Sequence, residues 1–236
     1  MFEGSNVPLN RWFYAIHQFV THKKGISSLQ LSRDISVTQK TAWFMLHRIR
    51  VNLREVKRIL FDGVVQMDET YVGGRNKGRF KNNRGRSTKQ KVPVVGVLTK
   101  SRVYVVTVSD VNQRTLHTIV QGLIKPGSTL VTDELSSYNG LSNEYVHERV
   151  KHRIRQYVNE RGFHTNSIEG FWSHLKRGTK GTYHWVSRKY LQHYCNEFAY
   201  RYNTRNEGDL EAFMQFLLRA DIRVKYSDLG WNAVKS

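Results

Sequence analysis

The chain has 236 residues, 39% hydrophobic and 12% aromatic, enough to bury the core of one medium domain with a smaller appendage. Lysine and arginine total 38 against 19 acids, and a net charge of +19 points to a polyanionic partner, nucleic acid ahead of an acidic membrane surface. The single cysteine, Cys195, excludes an internal disulfide and a zinc ribbon of paired cysteines, and no apolar run approaches the roughly 20 residues of a spanning helix. With no secretory signal at its start, the chain is expected to be cytoplasmic.

The first element is a helix over Leu9–Thr21, with Leu9, Trp12, Phe13, Ile16, Phe19 and Val20 on one face at helical spacing. Residues 27–53, "SSLQLSRDISVTQKTAWFMLHRIRVNL", read as a short helix through Asp34, a tight turn, and a long helix with Thr38 as N-cap. The pattern is that of a helix-turn-helix. It has two readings: a DNA-binding one, with Gln39, Lys40 and Thr41 near a groove and Arg48, Arg50 and Arg54 on phosphates, and a plain three-helix bundle.

From Val64 the period changes to two. "VVQMDETYV", "KVPVVGVLTK" and "RVYVVTVSD" read as three successive strands. Between the first two, residues 75–91 carry eight cations and no acid, including Arg75, Lys77, Arg79, Lys81, Arg84 and Arg86. Such a run cannot pack, so it reads as a solvated loop and as an electrostatic clamp on a phosphate backbone, which are compatible. A helix over 112–124, a Pro126-Gly127 break, a fourth strand in "STLVTDE" and a fifth in "YVHERV" follow. Helices fill the rest, from near Asn166 through "YLQHYCNEFAYRYNTR" and "LEAFMQFLLRA".

Three strands, a helix, a fourth strand, a fifth and further helices form the order of an RNase H type of α/β sheet, in which the first and fourth strands are neighbours. Asp68 in the first strand and Asp133 at the end of the fourth then come together. Alternation places Gln66, Asp68 and Thr70 on one face and Met67, Glu69 and Tyr71 on the other, so Glu69 is not expected to share a site with Asp68. The better third acid is Glu169, on the helix that starts near Asn166. Three converging carboxylates need a cation, and hard oxygen ligands select Mg²⁺ or Mn²⁺. Two such ions about 3.5–4 Å apart suit in-line displacement at a phosphodiester. Glu169 also has a local reading, as the partner of Asn166 in a capping box. Against it stand Trp172, Ser173 and Lys176 at i+3, i+4 and i+7, on the same helix face.

"QMDETYVGG", "VTDELSSYNGL", "HTNSIEGFWSHLKRGTKGTYHWVS" and "NEFAYRYNTR", in order over nearly the whole chain, resemble the DDE transposases of a bacterial insertion-sequence group related to Merlin elements, those with the ISXO2-like transposase domain. The resemblance implies an RNase H-like, retroviral integrase-type catalytic domain over 59–236, after a helix-turn-helix region over 1–58. It implies a catalytic and metal-binding triad of Asp68, Asp133 and Glu169 with two Mg²⁺ or Mn²⁺ ions. Lys176 matches the basic residue that follows the acid by seven positions, Arg177 adjoins it, and His164, Asn166 and Trp172 support the site. It further implies binding of double-stranded terminal inverted repeats, strand cleavage and joining to target DNA, at least a dimer in the synaptic complex, and a nucleoid-associated bacterial protein. Members of the group usually carry a cysteine-paired zinc ribbon ahead of the helix-turn-helix. The sequence before Arg11 has no cysteine, and no zinc is expected. Two other functions share these features: a DNA-binding regulator or inactive transposase remnant, and an RNase H-like nuclease that cuts without joining.

Overall fold

The computed structural model describes residues 1–54, 60–73, 91–141, 144–151, 157–225 and 229. They fall into two units, one from Met1–Val56 with His174–Trp231, the other from Lys57–Ser173. No helix among the described residues is long and apolar enough to cross a membrane.

The second unit is α/β, built on a mixed five-stranded sheet ordered β3-β2-β1-β4-β5. Its strands are β1 (Val64–Val72), β2 (Val92–Leu98), β3 (Val103–Thr107), β4 (Thr129–Thr132) and β5 (Val146–Arg149). β1, β2 and β3 form an antiparallel meander, while β4 pairs parallel with both β1 and β5. The first and fourth strands are therefore neighbours, as expected. Val65 and Met67 of β1 and Val95 and Val97 of β2 pack into a core with Leu116, Val120 and Tyr138. Leu116 and Val120 belong to the helix Gln113–Leu123, whose N-cap Asn112 accepts from the Thr115 N–H at 2.9 Å. The opposite face of β1 meets the helix Asn166–Arg177, where Gln66 Oε1 accepts from the Ile168 N–H at 3.0 Å.

The helices of the chain, in order, are α1 (Leu9–Thr21), α2 (Ser28–Asp34), α3 (Gln39–Asn52), α4 (Gln113–Leu123), α5 (Asn166–Arg177), α6 (Leu191–Asn203) and α7 (Asp209–Leu217). In the first unit Thr38 caps α3, its Oγ1 accepting from the Thr41 N–H at 3.1 Å. The buried stripe of α1 is Trp12, Ala15, Ile16 and Phe19, whereas Leu9 and Phe13 of the expected face are exposed. Tyr200 of α6 and Phe216 of α7 join the same core as Trp12, Leu31 and Leu46. The C-terminal helices thus group with the N-terminal ones in the first unit. Their apolar residues supply the partner that the short α1–α3 set needs to close its core, at about 1.5–3 kcal/mol per buried large side chain.

That core holds an ion cluster. Glu197 accepts from Arg50 Nε at 2.6 Å, from the Arg201 guanidinium and from the Tyr183 hydroxyl, and both Arg50 and Glu197 are almost fully buried. Burial alone would raise the Glu197 carboxyl, but Arg201 and Arg50 hold it below its ordinary value. Arg48, 4% exposed, donates to the Met1 and Glu3 carbonyls and lies over the Trp12 ring. The expectation of phosphate contacts at Arg48 and Arg50 is therefore corrected, because both guanidinium groups are turned inward onto partners of their own.

Candidate active site

β4 is short, and its pairing with β1 stops at Gln66↔Val131. β1 continues to Val72, so Asp68 and Glu69 stand where the sheet opens on that side, and Asp133 follows directly after β4. Carboxylate oxygens of Asp68, Glu69 and Asp133 all lie within 4.8 Å of one another. The expected pair Asp68 and Asp133 is brought together. Glu69 joins them, against the expectation from alternation: the two side chains do leave opposite faces, but at an open strand edge both can reach a point beside the strand.

Each carboxylate has one oxygen fixed by a donor of its own. Trp172 Nε1–H donates to Asp68 Oδ2 at 2.8 Å, the Tyr138 hydroxyl donates to Glu69 Oε2 at 3.0 Å, and the Leu135 N–H donates to Asp133 Oδ1 at 2.9 Å. Trp172 reaches Asp68 because the strand residue opposite Asp68 is Gly96. A Cβ on Gly96 would lie 2.8 Å from the Trp172 ring and 3.1 Å from Ile168 Cδ1. Neither Gly96 nor Tyr138 was singled out from the sequence. A glycine inside "VPVVGVL" is the available signal, since glycine in a strand interior marks close approach of a neighbour.

The electrostatics follow from this crowding. Burial, then the neighbouring Asp133, push the Asp68 carboxyl up to about 6 against the pull of the Trp172 N–H, with a smaller push from Glu169. Burial, then Asp133 and Asp68, push Glu69 up to about 7. The Tyr138 hydroxyl, buried beside Glu69, is held well above its ordinary value. Half-buried carboxylates that repel one another, with their orientation fixed, have the chemistry and spacing of a divalent-cation site of hard oxygen donors.

Glu169 lies outside this cluster. Its Oε1 accepts from the Thr165 hydroxyl at 3.2 Å. Asn166 is the first residue within α5, so Thr165 stands ahead of the helix, and its bond to Glu169 joins two side chains and is not the reciprocal backbone pair of a capping box. His164 Nδ1 faces Gln66 Nε2 at 3.4 Å, and Trp172 is 4% exposed. Lys176, half-buried, and Arg177, exposed, lie in the last turn of α5. At the start of α3, Gln39 and Lys40 are exposed and Thr41 is half-buried. Arg75, Lys77, Arg79, Lys81, Arg84 and Arg86 lie outside the described residues.

The model of the ISXO2-like transposase domain matches residues 60–203. An uncharacterized protein in transposable element ISH50 of Halobacterium salinarum is 26% identical over 232 residues, covering 92% of this chain and 77% of the relative. An uncharacterized transposase-like protein of Haemophilus influenzae is 31% identical over 105 residues, 44% of this chain and 83% of its own. Among solved structures, a pre-cleavage Mos1 transpososome is similar over 94% of this chain and 83% of its own, with 11% identity and a TM-score of 0.31. A Mos1 strand transfer complex is similar over 94% and 82%, with 11% identity and a TM-score of 0.27. Its match running through the whole sheet, the carboxylate cluster and α5, this chain belongs to the family of the ISXO2-like transposase domain.

Proposed function

We propose that this chain is a DNA transposase whose RNase H-like unit cleaves and joins DNA strands at a divalent-metal centre on Asp68 and Asp133, with Glu169 as the third acid of the triad and Glu69 as an additional carboxylate. The observation that carries the reading is the three-carboxylate cluster at the open edge of β1, each member aimed by its own donor. Bound Mg²⁺ or Mn²⁺ would supply Lewis-acid stabilisation of the attacking and leaving oxygens of a phosphodiester. The chain's own residues do the rest. Trp172 holds one Asp68 oxygen, and the Leu135 N–H and the Tyr138 hydroxyl do the same for Asp133 and Glu69, so the remaining oxygens are presented without loss of side-chain freedom on binding. Glu169 lies on α5 one helix turn before Trp172, and the resemblance of "HTNSIEGFWSHLKRG" to the family's motif supports its place as the third acid.

The substrate follows from charge. A carboxylate cluster repels phosphate, so cations must hold the backbone, and the net charge of +19 supplies them. Lys176, Arg177, Gln39, Lys40 and Thr41, with the basic run at 75–91, are the proposed contacts to terminal inverted repeats and target DNA, and joining two ends requires at least two copies of the chain. The test is nicking of supercoiled plasmid in Mn²⁺ and in EDTA. Asp68→Asn and Asp133→Asn are expected to abolish metal-dependent nicking while low-salt DNA binding survives. Equal loss of binding and nicking would make both aspartates structural, and metal-independent binding with no nicking in the wild type would leave a DNA-binding protein only.

A further inference from the structure

The segment after α5 mounts one tryptophan outward on a rigid base. α5 runs into a π-helical turn, Gly178–Thr182, and Thr182 Oγ1 donates to the Lys24 carbonyl at 2.9 Å. Tyr183 turns inward: its hydroxyl donates to Glu197, its ring meets Tyr194 edge-on at 4.8 Å, and the Arg50 guanidinium lies 5.0 Å from its centre. The turn at Gly25 (φ +86°) is closed onto it, since a Cβ there would fall 2.0 Å from the Tyr183 hydroxyl oxygen. The next residue reverses direction. The Trp185 N–H donates to the Tyr183 carbonyl, closing a γ-turn about His184, which has φ +55°. A positive φ on histidine in such a turn is strained, and it persists only where the surroundings hold it. The Tyr183 anchor does so here, and the result is a Trp185 side chain 59% exposed. The other described tryptophans, Trp12, Trp43 and Trp172, are buried or half-buried.

Along the sequence the charges on either side of Trp185 have one sign. Between Glu169 and Glu197 the sequence has no acid. Lys180, Arg188 and Lys189 flank Trp185, Lys23 and Lys24 occupy the turn to which Thr182 is tied, and all five are exposed. An occupant must therefore be anionic and offer a flat apolar face. An anionic bilayer fits poorly, because surface-bound segments present a continuous apolar face and not one ring among cations. A second copy of this chain would bring like charge to like charge.

We infer that Trp185 is a stacking platform for an unpaired nucleobase, with the cations around it holding the phosphates of the same strand. Every base has a π face, so stacking of this kind tolerates any sequence, and charge and ring supply the two halves of single-strand recognition. The inference rests on the proposed DNA chemistry, where strand cleavage frees unpaired ends.

The experiment compares wild type, Trp185→Ala and Trp185→Phe for binding of two labelled duplexes by fluorescence anisotropy at low salt, one blunt and one with a short single-stranded tail. Trp185→Ala should weaken binding of the tailed duplex by about 30-fold, the middle of the range for loss of one stacked base, and leave the blunt duplex unchanged. Trp185→Phe should recover most of the loss. Equal affinities of wild type and Trp185→Ala for the tailed duplex would overturn the stacking inference alone, as would an altered oligomeric state of Trp185→Ala in sedimentation. Failure of the wild type to bind either duplex would overturn the DNA reading itself.

Discussion

Replacing Asp68 with asparagine is expected to stabilise the metal-free protein while removing its response to metal. Burial and Asp133 hold the Asp68 carboxyl at about 6, above its ordinary value of 3.8. A carboxyl raised in the folded state binds its proton more tightly there than in the unfolded chain. Stability is therefore greatest below the ordinary value, falls as pH rises towards the folded value, and carries the whole penalty above it. A difference of roughly two pH units corresponds to about 3 kcal/mol. Because Asp68 shares its repulsion with Glu69 and Asp133, about 2 kcal/mol is the portion that one substitution relieves. The asparagine retains an oxygen for the Trp172 N–H, so the 2.8 Å bond can persist and the change is one of charge alone. For a chain of this size that gain corresponds to about 4–8 °C in Tm. The assay is thermal unfolding followed by circular dichroism in EDTA, near pH 8 and near pH 4, then repeated with Mn²⁺. The variant should melt above the wild type near pH 8, and the gap should close near pH 4. Mn²⁺ should raise the wild type by about 3 kcal/mol at 100-fold excess over Kd and leave the variant almost unmoved. A variant that melts below the wild type near pH 8, or gains equally at both pH values, would refute the argument from repulsion.

Glu197→Gln leaves Arg50 and Arg201 without their buried counter-charge and should destabilise the protein by about 3–5 kcal/mol in urea titration. Gly96→Ala forces the Trp172 ring aside and should cost about 1–3 kcal/mol, with a changed near-ultraviolet signal marking the lost contact to Asp68. Thr38→Ala removes the α3 cap and should cost about 1 kcal/mol, measured by the same titration. Glu69→Gln should weaken Mn²⁺ affinity in calorimetry, and Glu169→Gln should lower nicking without lowering stability by the roughly 1 kcal/mol of a lost cap.

β1 was legible in the sequence because alternation over "VVQMDETYV" has the period of a strand with two different faces, and it runs over Val64–Val72. The start of α3 was legible from Thr38, and the proximity of Asp68 to Asp133 from strand order. Glu69 was not, because the face rule gives the side on which a side chain leaves the strand and not how far its carboxylate reaches past an open edge, and nothing local marks where β4 stops pairing with β1. Arg48 and Arg50 were misread for a related reason. On a basic helix an arginine turned to phosphate and one turned to a buried carboxylate look alike, and the partner of Arg50 is Glu197, far along the chain. The burial of α1 along Trp12, Ala15, Ile16 and Phe19 instead of through Leu9 and Phe13 depends on α7, whose position no local pattern contains.

Asp68, Glu69 and Asp133 are expected to hold a divalent ion, which is measured by titrating Mn²⁺ into the wild type and Asp133→Asn near pH 8 with free ion followed by electron paramagnetic resonance. Saturable binding by the wild type that is lost or weakened at least about tenfold, or about 1.4 kcal/mol, in the variant is the predicted result. Identical titrations for the two proteins would contradict it.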